Sequence, residues 1–423
     1  MLSDERFKFA LESLKKCTLM EPKQNIFFSP HLIYHDLLMV YFGASDDIEN
    51  SLRTVLYIPD GISKAILQQH YVCMEGERFC YAMKGILDSY KCRIYNKLWL
   101  RNSECLKPET SNLFLHDHET MANSDFESSP DIARLQINCD IAIKTKGTIT
   151  CMLTPDIIDS NTNIVLTSMI YLSASLLIVS SSEYFTLNAV DGSSNYNEKL
   201  ECDKEPSTSS GKNTMDEREF AYKILNEELV KLGLQSDVYF SNIYLGYKIS
   251  MLFISTKSLA PKPEVNVESA EIEQDKIINL IQLLTTEEAS RYLRLVLEKG
   301  LPYQSTIFTS FHFEEYLPIY KLLEMLNVPG FMSSGPINLP GFGDDVTFGN
   351  AVHQVRIEMT NSNFEAAASN AFFNGNSSTH VQTTDIPEDI DVPSICLIYD
   401  KANRNILFCG ILWSRKDCPV SMV

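Results

Sequence analysis

The chain has 423 residues, of which 44% are hydrophobic and 22% charged, the composition of a folded globular protein rather than a disordered or fibrous one. Acidic residues outnumber basic ones by 55 to 36, so the net charge is −19. Because such a surface repels phosphate groups and no basic run interrupts it, we expect neither nucleic-acid binding nor association with anionic membranes.

The first hundred residues predict helices interspersed with strands. In residues 5–17 the apolar side chains recur at spacings of three and four, as in an amphipathic helix. A short apolar strand is predicted over residues 25–29, followed by a helix that starts at Pro30 and ends at Gly43. Residues 90–100 alternate in the manner of a longer strand.

The middle of the chain predicts a buried strand and a polar insertion. Residues 164–179 are nearly uncharged, but 16 residues are too few for a membrane-spanning helix, so we interpret them as a strand buried on both faces. A further alternation begins near residues 145–152. Residues 191–217 are rich in Ser, Asn, Gly and charged side chains, which indicates a polar surface insertion within a domain. Residues 238–256 predict a hairpin.

The last third of the chain predicts helices and then two strands. Helical patterns cover residues 275–299 and 313–327, and residues 394–413 contain two apolar strands joined by a charged turn. Helices and long strands follow one another without regular βαβ alternation. The sequence therefore predicts an α+β fold with a large, mostly antiparallel sheet and helices packed on it.

Eleven cysteines, from Cys17 to Cys418, show no paired spacing of a disulfide framework and no metal-binding spacing. We expect reduced thiols in a reducing compartment and no bound metal. Residues 1–16 are charged and helical in pattern and do not resemble a signal peptide. The expected location is therefore cytoplasmic or secreted without a leader, with an extracellular location as the alternative.

No motif of a nucleotide enzyme or hydrolase is present, since GxGxxG, GxxxxGK and GxSxG are all missing. Ser29 and His353 could meet in the fold. However, Ser29 precedes Pro30 where a strand passes into a helix, a position typical of a helix cap, and an isolated histidine is more often part of the core. We expect no catalytic residue, no cofactor and no enzymatic activity, with an unrelated α+β enzyme as the weakest alternative.

A long segment near the C-terminus, residues 361–391, has a composition of its own. It starts with a run of small residues, 365–371, and continues into a polar stretch, 374–380. Long segments of this kind in a compact domain are usually functional or disordered.

Taken in order, these segments resemble the serpin family over residues 5–415, which predicts a single domain. The similarity rests on the N-terminal strand and the helix after it, the strand at 90–100, the central strand at 164–172 and the C-terminal strands. The strongest match is residues 353–369, which align without a gap to the strand and alanine-rich hinge that lead into the serpin reactive-centre loop. The start at Met1 without a leader is similar to the ovalbumin-like intracellular branch.

The resemblance implies a fold and a mechanism. The fold is a large main sheet with additional sheets, eight or nine helices and an exposed reactive-centre loop at 361–391. A serpin is a suicide substrate: a serine or cysteine protease cuts this loop, and the hinge then inserts into the main sheet as a new strand, which traps the protease. The expected partner is a protease, and the expected state is a monomer.

The resemblance also assigns residues to roles. The reactive bond joins Ser377 to Ser378 when counted from the hinge, or lies within 379–382 when counted from the C-terminal strand. Because residues 361–392 contain neither Lys nor Arg, the target is not trypsin-like. The shutter, a polar cluster beneath the main sheet, comprises Ser29, Ser168 and His353. The hinge comprises Asn363, Phe364, Glu365, Ala366, Ala367, Ala368 and Ser369.

Several positions depart from the serpin pattern. Phe364 replaces the usual Thr or Ser, and Asn361 and Asn363 replace an acidic residue and a glycine, while Leu32, Ser168 and Leu176 replace a Ser, an Asn and a Trp. Since Phe364 and Asn370 share a face, insertion is expected to bury a large ring and an unpaired amide, at about 1–3 kcal/mol each. A chain whose loop inserts slowly is cut without trapping its protease. The alternative function is therefore a non-inhibitory serpin that serves in binding, as a chaperone or in storage.

Overall fold

The fold is described from a computed structural model of the chain. It covers residues 2–20, 25–82, 90–101, 106–114, 119–176, 217–234, 238–245, 248–256, 267–300, 311–317, 319–328, 337–343, 346–360, 362–374 and 393–413. Within these residues the helices are α1 Ser3–Met20, α2 Pro30–Gly43, α3 Asp46–Val55, α4 Lys64–Ala82, α5 Pro108–Ser111, α6 Pro130–Lys144, α7 Glu217–Lys231, α8 Val267–Leu284, α9 Glu287–Lys299 and α10 Ile319–Met325. The α5 helix is a single turn.

The strands form a six-stranded main sheet, a five-stranded second sheet and a small two-stranded one. They are β1 Ile26–Phe28, β2 Tyr90–Leu100, β3 Glu119–Asn123, β4 Ile164–Ser175, β5 Tyr239–Tyr244, β6 Ile249–Ser255, β7 Phe311–Leu317, β8 Ile337–Asn338, β9 Thr347–Phe348, β10 Asn350–Met359, β11 Asn363–Phe373, β12 Ser394–Asp400 and β13 Asn405–Leu412. The main sheet has the order β3-β2-β4-β11-β10-β7 and the second sheet β1-β13-β12-β6-β5. Only the β2–β3 pair is parallel among the pairs described, which confirms the predicted mostly antiparallel α+β fold.

The main sheet is buried on both faces. An apolar cluster that includes Ile170, Phe313 and Phe408 lies between it and the second sheet. On its opposite face, α6 contributes Ile137 and Ile141 to a second cluster. This double burial explains why β4 is an almost continuous apolar run in the sequence.

Three predicted elements differ from the structure. The helix expected over 275–299 is two helices, because Thr286 is extended and begins a new helix with acidic residues in its first turn. Residues 313–317 belong to β7 rather than to a helix, because every second side chain of β7 is buried, including that of Glu315. The alternation near 145–152 forms turns and bends instead of a strand.

The predicted exposed loop at 361–391 requires a larger correction. Its residues 363–373 form β11, whose side chains from Phe364 to Phe373 are almost all buried, so this part is a central strand of the main sheet and not an exposed loop. Residues 375–391 and most of the predicted insertion, 191–216, lie outside the described residues.

In the described part of the chain, no helix is long and apolar enough to cross a membrane. Over the same ranges, no three His, Cys, Asp or Glu side chains group together as metal ligands would. Seven cysteines there are free thiols: Cys17, Cys73, Cys92, Cys139, Cys151, Cys396 and Cys409.

Candidate functional site

The candidate site is β11 and the polar side chains beneath its centre. All eleven residues of β11 pair with β4 on one side, and ten of them pair with β10 on the other. Between the end of β10 and the start of β11, the Thr360 amide donates to the Asn363 carbonyl at 2.8 Å. The strand is therefore held by a complete ladder of backbone hydrogen bonds along both edges.

Both faces of β11 are covered, which explains the small side chains in its middle. Phe364, Ala366 and Ala368 lie in the cluster between the two large sheets. Ala367 and Ala371 lie in the cluster that α6 covers. A strand placed between two closed layers has room mainly for side chains of alanine size, so the alanine run fits this position.

His353 of β10 stands next to β11 and is fully buried. The Ser29 backbone N–H donates to His353 Nε2 at 3.2 Å, so the ring proton lies on Nδ1, which donates to the Asn370 side-chain oxygen. Burial lowers the pKa of His353 to about 4, and the bond to Asn370 opposes this shift. The imidazole is therefore neutral near pH 7.

Asp36, in the middle of α2, is the second centre of the cluster and is fully buried. Asn370 Nδ2 donates to Asp36 Oδ2 at 2.8 Å, and the Ser168 hydroxyl donates to Oδ1. His35 Nδ1 lies 3.5 Å from Oδ1, and His35 Nε2 lies 2.5 Å from the Tyr71 hydroxyl. Burial raises the pKa of the Asp36 carboxyl, whereas these donors favour its ionised form.

Ser29 and His353 meet, as the sequence allowed, but not as a nucleophile and its base. The Ser29 hydroxyl donates to the Leu407 carbonyl at 2.7 Å and accepts from the Leu32 amide at 3.3 Å, which caps α2. The histidine is bonded to the serine backbone instead. Both residues are fully buried, so this pair has neither the hydrogen bond nor the access that hydrolysis requires.

Comparisons with known proteins agree with this architecture. A family model described as "Serpin (serine protease inhibitor)" matches residues 5–179. Serine protease inhibitor 88Ea of Drosophila melanogaster is 24% identical over 411 residues, 95% of this chain and 88% of the relative. Leukocyte elastase inhibitor A of Mus musculus is 24% identical over 419 residues, 97% of this chain and 98% of the relative. The relatives that the chain matches over nearly its whole length are thus serpins.

Solved serpin structures align with nearly the whole chain. A loop-inserted, cleaved ovalbumin mutant aligns with a TM-score of 0.62 at 16% identity, covering 98% of this chain and all of the other. Cleaved Serpin 42Da aligns with a TM-score of 0.61 at 13% identity, covering 97% of both chains. This likeness confirms the serpin fold.

The residues predicted as the serpin hinge, Asn363 to Ser369, form the first seven residues of β11. Asn363 is exposed at the start of the strand, and Glu365 accepts a hydrogen bond from the Thr148 hydroxyl at 2.7 Å. The predicted reactive bond between Ser377 and Ser378 lies outside the described residues. These assignments of roles stay predictions.

The residues predicted as the shutter, Ser29, Ser168 and His353, are all buried around the middle of β11. They are not joined directly into one network by their side chains: Ser29 contacts His353 through its backbone, and Ser168 reaches the histidine only by way of Asp36 and Asn370. Sequence reasoning missed Asp36. Its signal was a carboxylate flanked by His35 inside an otherwise apolar helix.

The expected obstacles to insertion are not found in the inserted strand. The prediction of an unpaired amide is wrong, because Asn370 is hydrogen-bonded at both its oxygen and its nitrogen. The Phe364 ring is buried opposite Ala174, which is small, and Met359, which is flexible. These two neighbours leave room for the ring, since methionine adapts its shape to irregular gaps.

Replacing Phe364 with threonine is therefore expected to weaken the inserted form, contrary to the relief that overpacking predicts. The lost ring leaves a cavity that lowers the free energy of unfolding of the loop-cleaved protein by about 2–4 kcal/mol. Denaturant unfolding of the cleaved variant and wild type measures the difference. Phe220→Thr, at a phenylalanine that is 48% exposed, is the matched control and should change little. A cleaved Phe364→Thr form more stable than wild type contradicts this prediction.

Proposed function

We propose that this protein is a serpin and a suicide-substrate inhibitor of a serine or cysteine protease. The observation that carries the proposal is β11: residues 363–373 occupy the centre of the main sheet with both edges paired and nearly every side chain buried. Cleavage of a loop that can adopt this position releases free energy through strand pairing and apolar burial. That free energy is available to displace and distort an acyl-bound protease.

The proposed target accepts small or polar residues at the cut. The proposed bond, Ser377–Ser378, lies in a segment, 361–392, that contains no Lys or Arg. The segment therefore offers no basic side chain that the buried carboxylate of a trypsin-like specificity pocket could bind. We further propose that the protein is a monomer with a single domain over residues 5–415. Residues 191–217 form a polar surface insertion within that domain. The proposed location is cytoplasmic or secreted without a leader, with an extracellular location as the alternative, and it rests on eleven cysteines without the paired spacing of a disulfide framework.

A non-inhibitory role in binding, as a chaperone or in storage is the second candidate, and Phe364 is the observation that favours it. The ring must enter the sheet before the rest of the strand, and a slow entry gives the protease time to deacylate. A barrier raised by about 1.4 kcal/mol slows insertion tenfold. Ovalbumin of Dromaius novaehollandiae, 25% identical over 177 residues, is among the relatives.

Incubation with proteases of elastase-like, chymotrypsin-like and papain-like specificity separates the two candidates. An inhibitor forms a covalent complex that survives denaturing electrophoresis, and we expect one at a ratio of protein to protease of about one to a few, a stoichiometry that rises as insertion slows relative to deacylation. Mass analysis of the released C-terminal peptide locates the cut. Complete cleavage within the loop by every protease, without any such complex, contradicts inhibition and favours the binding or storage role.

A further inference from the structure

We propose that Asp36 is the residue that recognises the inserted strand, and that it does so by binding the side-chain amide of Asn370. The inference deepens the proposed function, on which it rests, by assigning the contact that fixes the register of insertion. Neither residue belongs to the predicted shutter or hinge.

The geometry makes an amide the matching group at position 370. His353 Nδ1 carries a proton and requires an acceptor, whereas Asp36 Oδ2 requires a donor. Asn370 supplies both groups on one short side chain, with its oxygen towards His353 and its nitrogen 2.8 Å from Asp36. Alanine at this position supplies neither, and a carboxylate supplies two acceptors where one donor is needed.

The partners of Asn370 are held in place by the protein and not by the strand itself. Asp36 is fixed by the Ser168 hydroxyl and by His35, which in turn contacts Tyr71 of α4. His353 is fixed by the Ser29 backbone N–H. The His353 donor and the Asp36 acceptor are thus held in fixed positions for one side chain of the inserting strand. Leaving either group unpaired in a buried site costs free energy.

The same contact selects the register. Asn370 is the cross-strand partner of Ser168 on β4 and of His353 on β10, so three polar residues lie side by side across the main sheet. A slip by two residues keeps the faces of β11 but places Ala368 or Phe372 at Asp36, and neither side chain can bond to it. The neighbouring alanines cannot select the register, because a slip by two residues only replaces Ala368 with Ala366, a side chain of the same size.

The test compares loop-cleaved proteins, cut between residues 375 and 392 as checked by mass analysis. Guanidinium unfolding is followed by the fluorescence of Trp99 and Trp413. Asn370→Ala is expected to raise the unfolding equilibrium constant of the cleaved form by roughly tenfold to a hundredfold. The intact form should change by less. Ser369→Ala is the matched control, since Ser369 is the adjacent buried residue and its hydroxyl has no hydrogen-bond partner among the described residues.

A swapped pair separates recognition from a merely structural effect. Asn370→Asp alone places two carboxylates together and should abolish most of the stabilisation on cleavage. Combining it with Asp36→Asn restores a donor facing an acceptor, and we expect the unfolding equilibrium constant of the combined variant to be at least tenfold lower than that of Asn370→Asp alone. The proposed function places residue 370 outside the sheet before cleavage, so its variants should fold even where an Asp36 variant alone does not.

Two outcomes overturn the inference in different ways. If cleaved wild type is no more stable than intact wild type, the strand does not insert, and the proposed function fails together with the inference. If cleaved wild type is stabilised but Asn370→Ala matches Ser369→Ala and the swapped pair gives no rescue, the inference fails alone.

Discussion

Arginine in place of Ala368 is expected to abolish the stabilisation that follows loop cleavage and to convert any inhibition into simple proteolysis. Ala368 is fully buried, lies between Ile170 and Val355, and belongs to the apolar cluster between the two large sheets. Insertion of an arginine there leaves a buried guanidinium without a partner, at a cost of about 3–5 kcal/mol in addition to steric overlap. The loop should remain outside the sheet after the cut.

Thermal unfolding of intact and cleaved Ala368→Arg measures the effect. The two forms should melt within a few degrees of each other, whereas cleaved wild type should melt far above intact wild type. Asn363→Arg is the control, because residue 363 is exposed at the first position of the same strand and tolerates a charged side chain. A cleaved Ala368→Arg form that is as stable as cleaved wild type excludes β11 in its present register.

Lowering the pH from 7 to 4 is expected to remove about 3 kcal/mol from the stability of the inserted form through His353 alone. The pKa of His353 is lowered from 6.5 to about 4 in the folded protein by burial. Below pH 6.5 the unfolded chain therefore binds a proton that the folded state does not take up until about pH 4. Stability is complete above pH 6.5 and is lost as the pH falls between these two values.

The variant His353→Gln isolates this contribution. Glutamine can accept from the Ser29 amide and donate to Asn370, as the neutral imidazole does, but it does not titrate. Asp36, whose pKa is raised, contributes in the opposite direction in both proteins, so the difference between their pH profiles reports His353. Denaturant unfolding at half-unit steps of pH measures both profiles. Parallel profiles mean that His353 is protonated or exposed in the inserted form.

Elements with a regular apolar pattern could be predicted from the sequence, because the pattern reflects packing of the element against its neighbouring layer. The α2 helix follows its predicted bounds, as do β2 and the β12–β13 hairpin. The β7 strand was missed because Glu315 interrupts its apolar pattern. That carboxylate is buried because it accepts a hydrogen bond from the Phe27 amide at 2.7 Å, a contact between residues 288 positions apart in the chain.

The polar cluster could be predicted only in part, because it too depends on contacts between residues that are far apart in the chain. Ser29 and His353 stand out through their local sequence, a helix cap and a match to a family pattern. Asp36 and Asn370 have no local signal that joins them, because they are 334 positions apart and meet only when β11 lies in the sheet. The local sequence of residues 361–391 indicates polarity and small size, but whether the segment lies outside or inside the sheet depends on the gap between β4 and β10.

The pairing of β1 with β13 has a consequence for how the chain is made. Residues 26–28 find their strand partner only at residues 409–411, with Gly410 so close that any larger side chain would overlap the Ile26 carbonyl. At about 5–20 residues per second, a ribosome needs roughly 20–80 s to synthesise the interval between them. During that time the start of the second sheet has no partner, and the α2 cap lacks the Leu407 carbonyl. The nascent chain should therefore depend on chaperones until its last strand emerges, and a message truncated before codon 405 should yield an aggregating product.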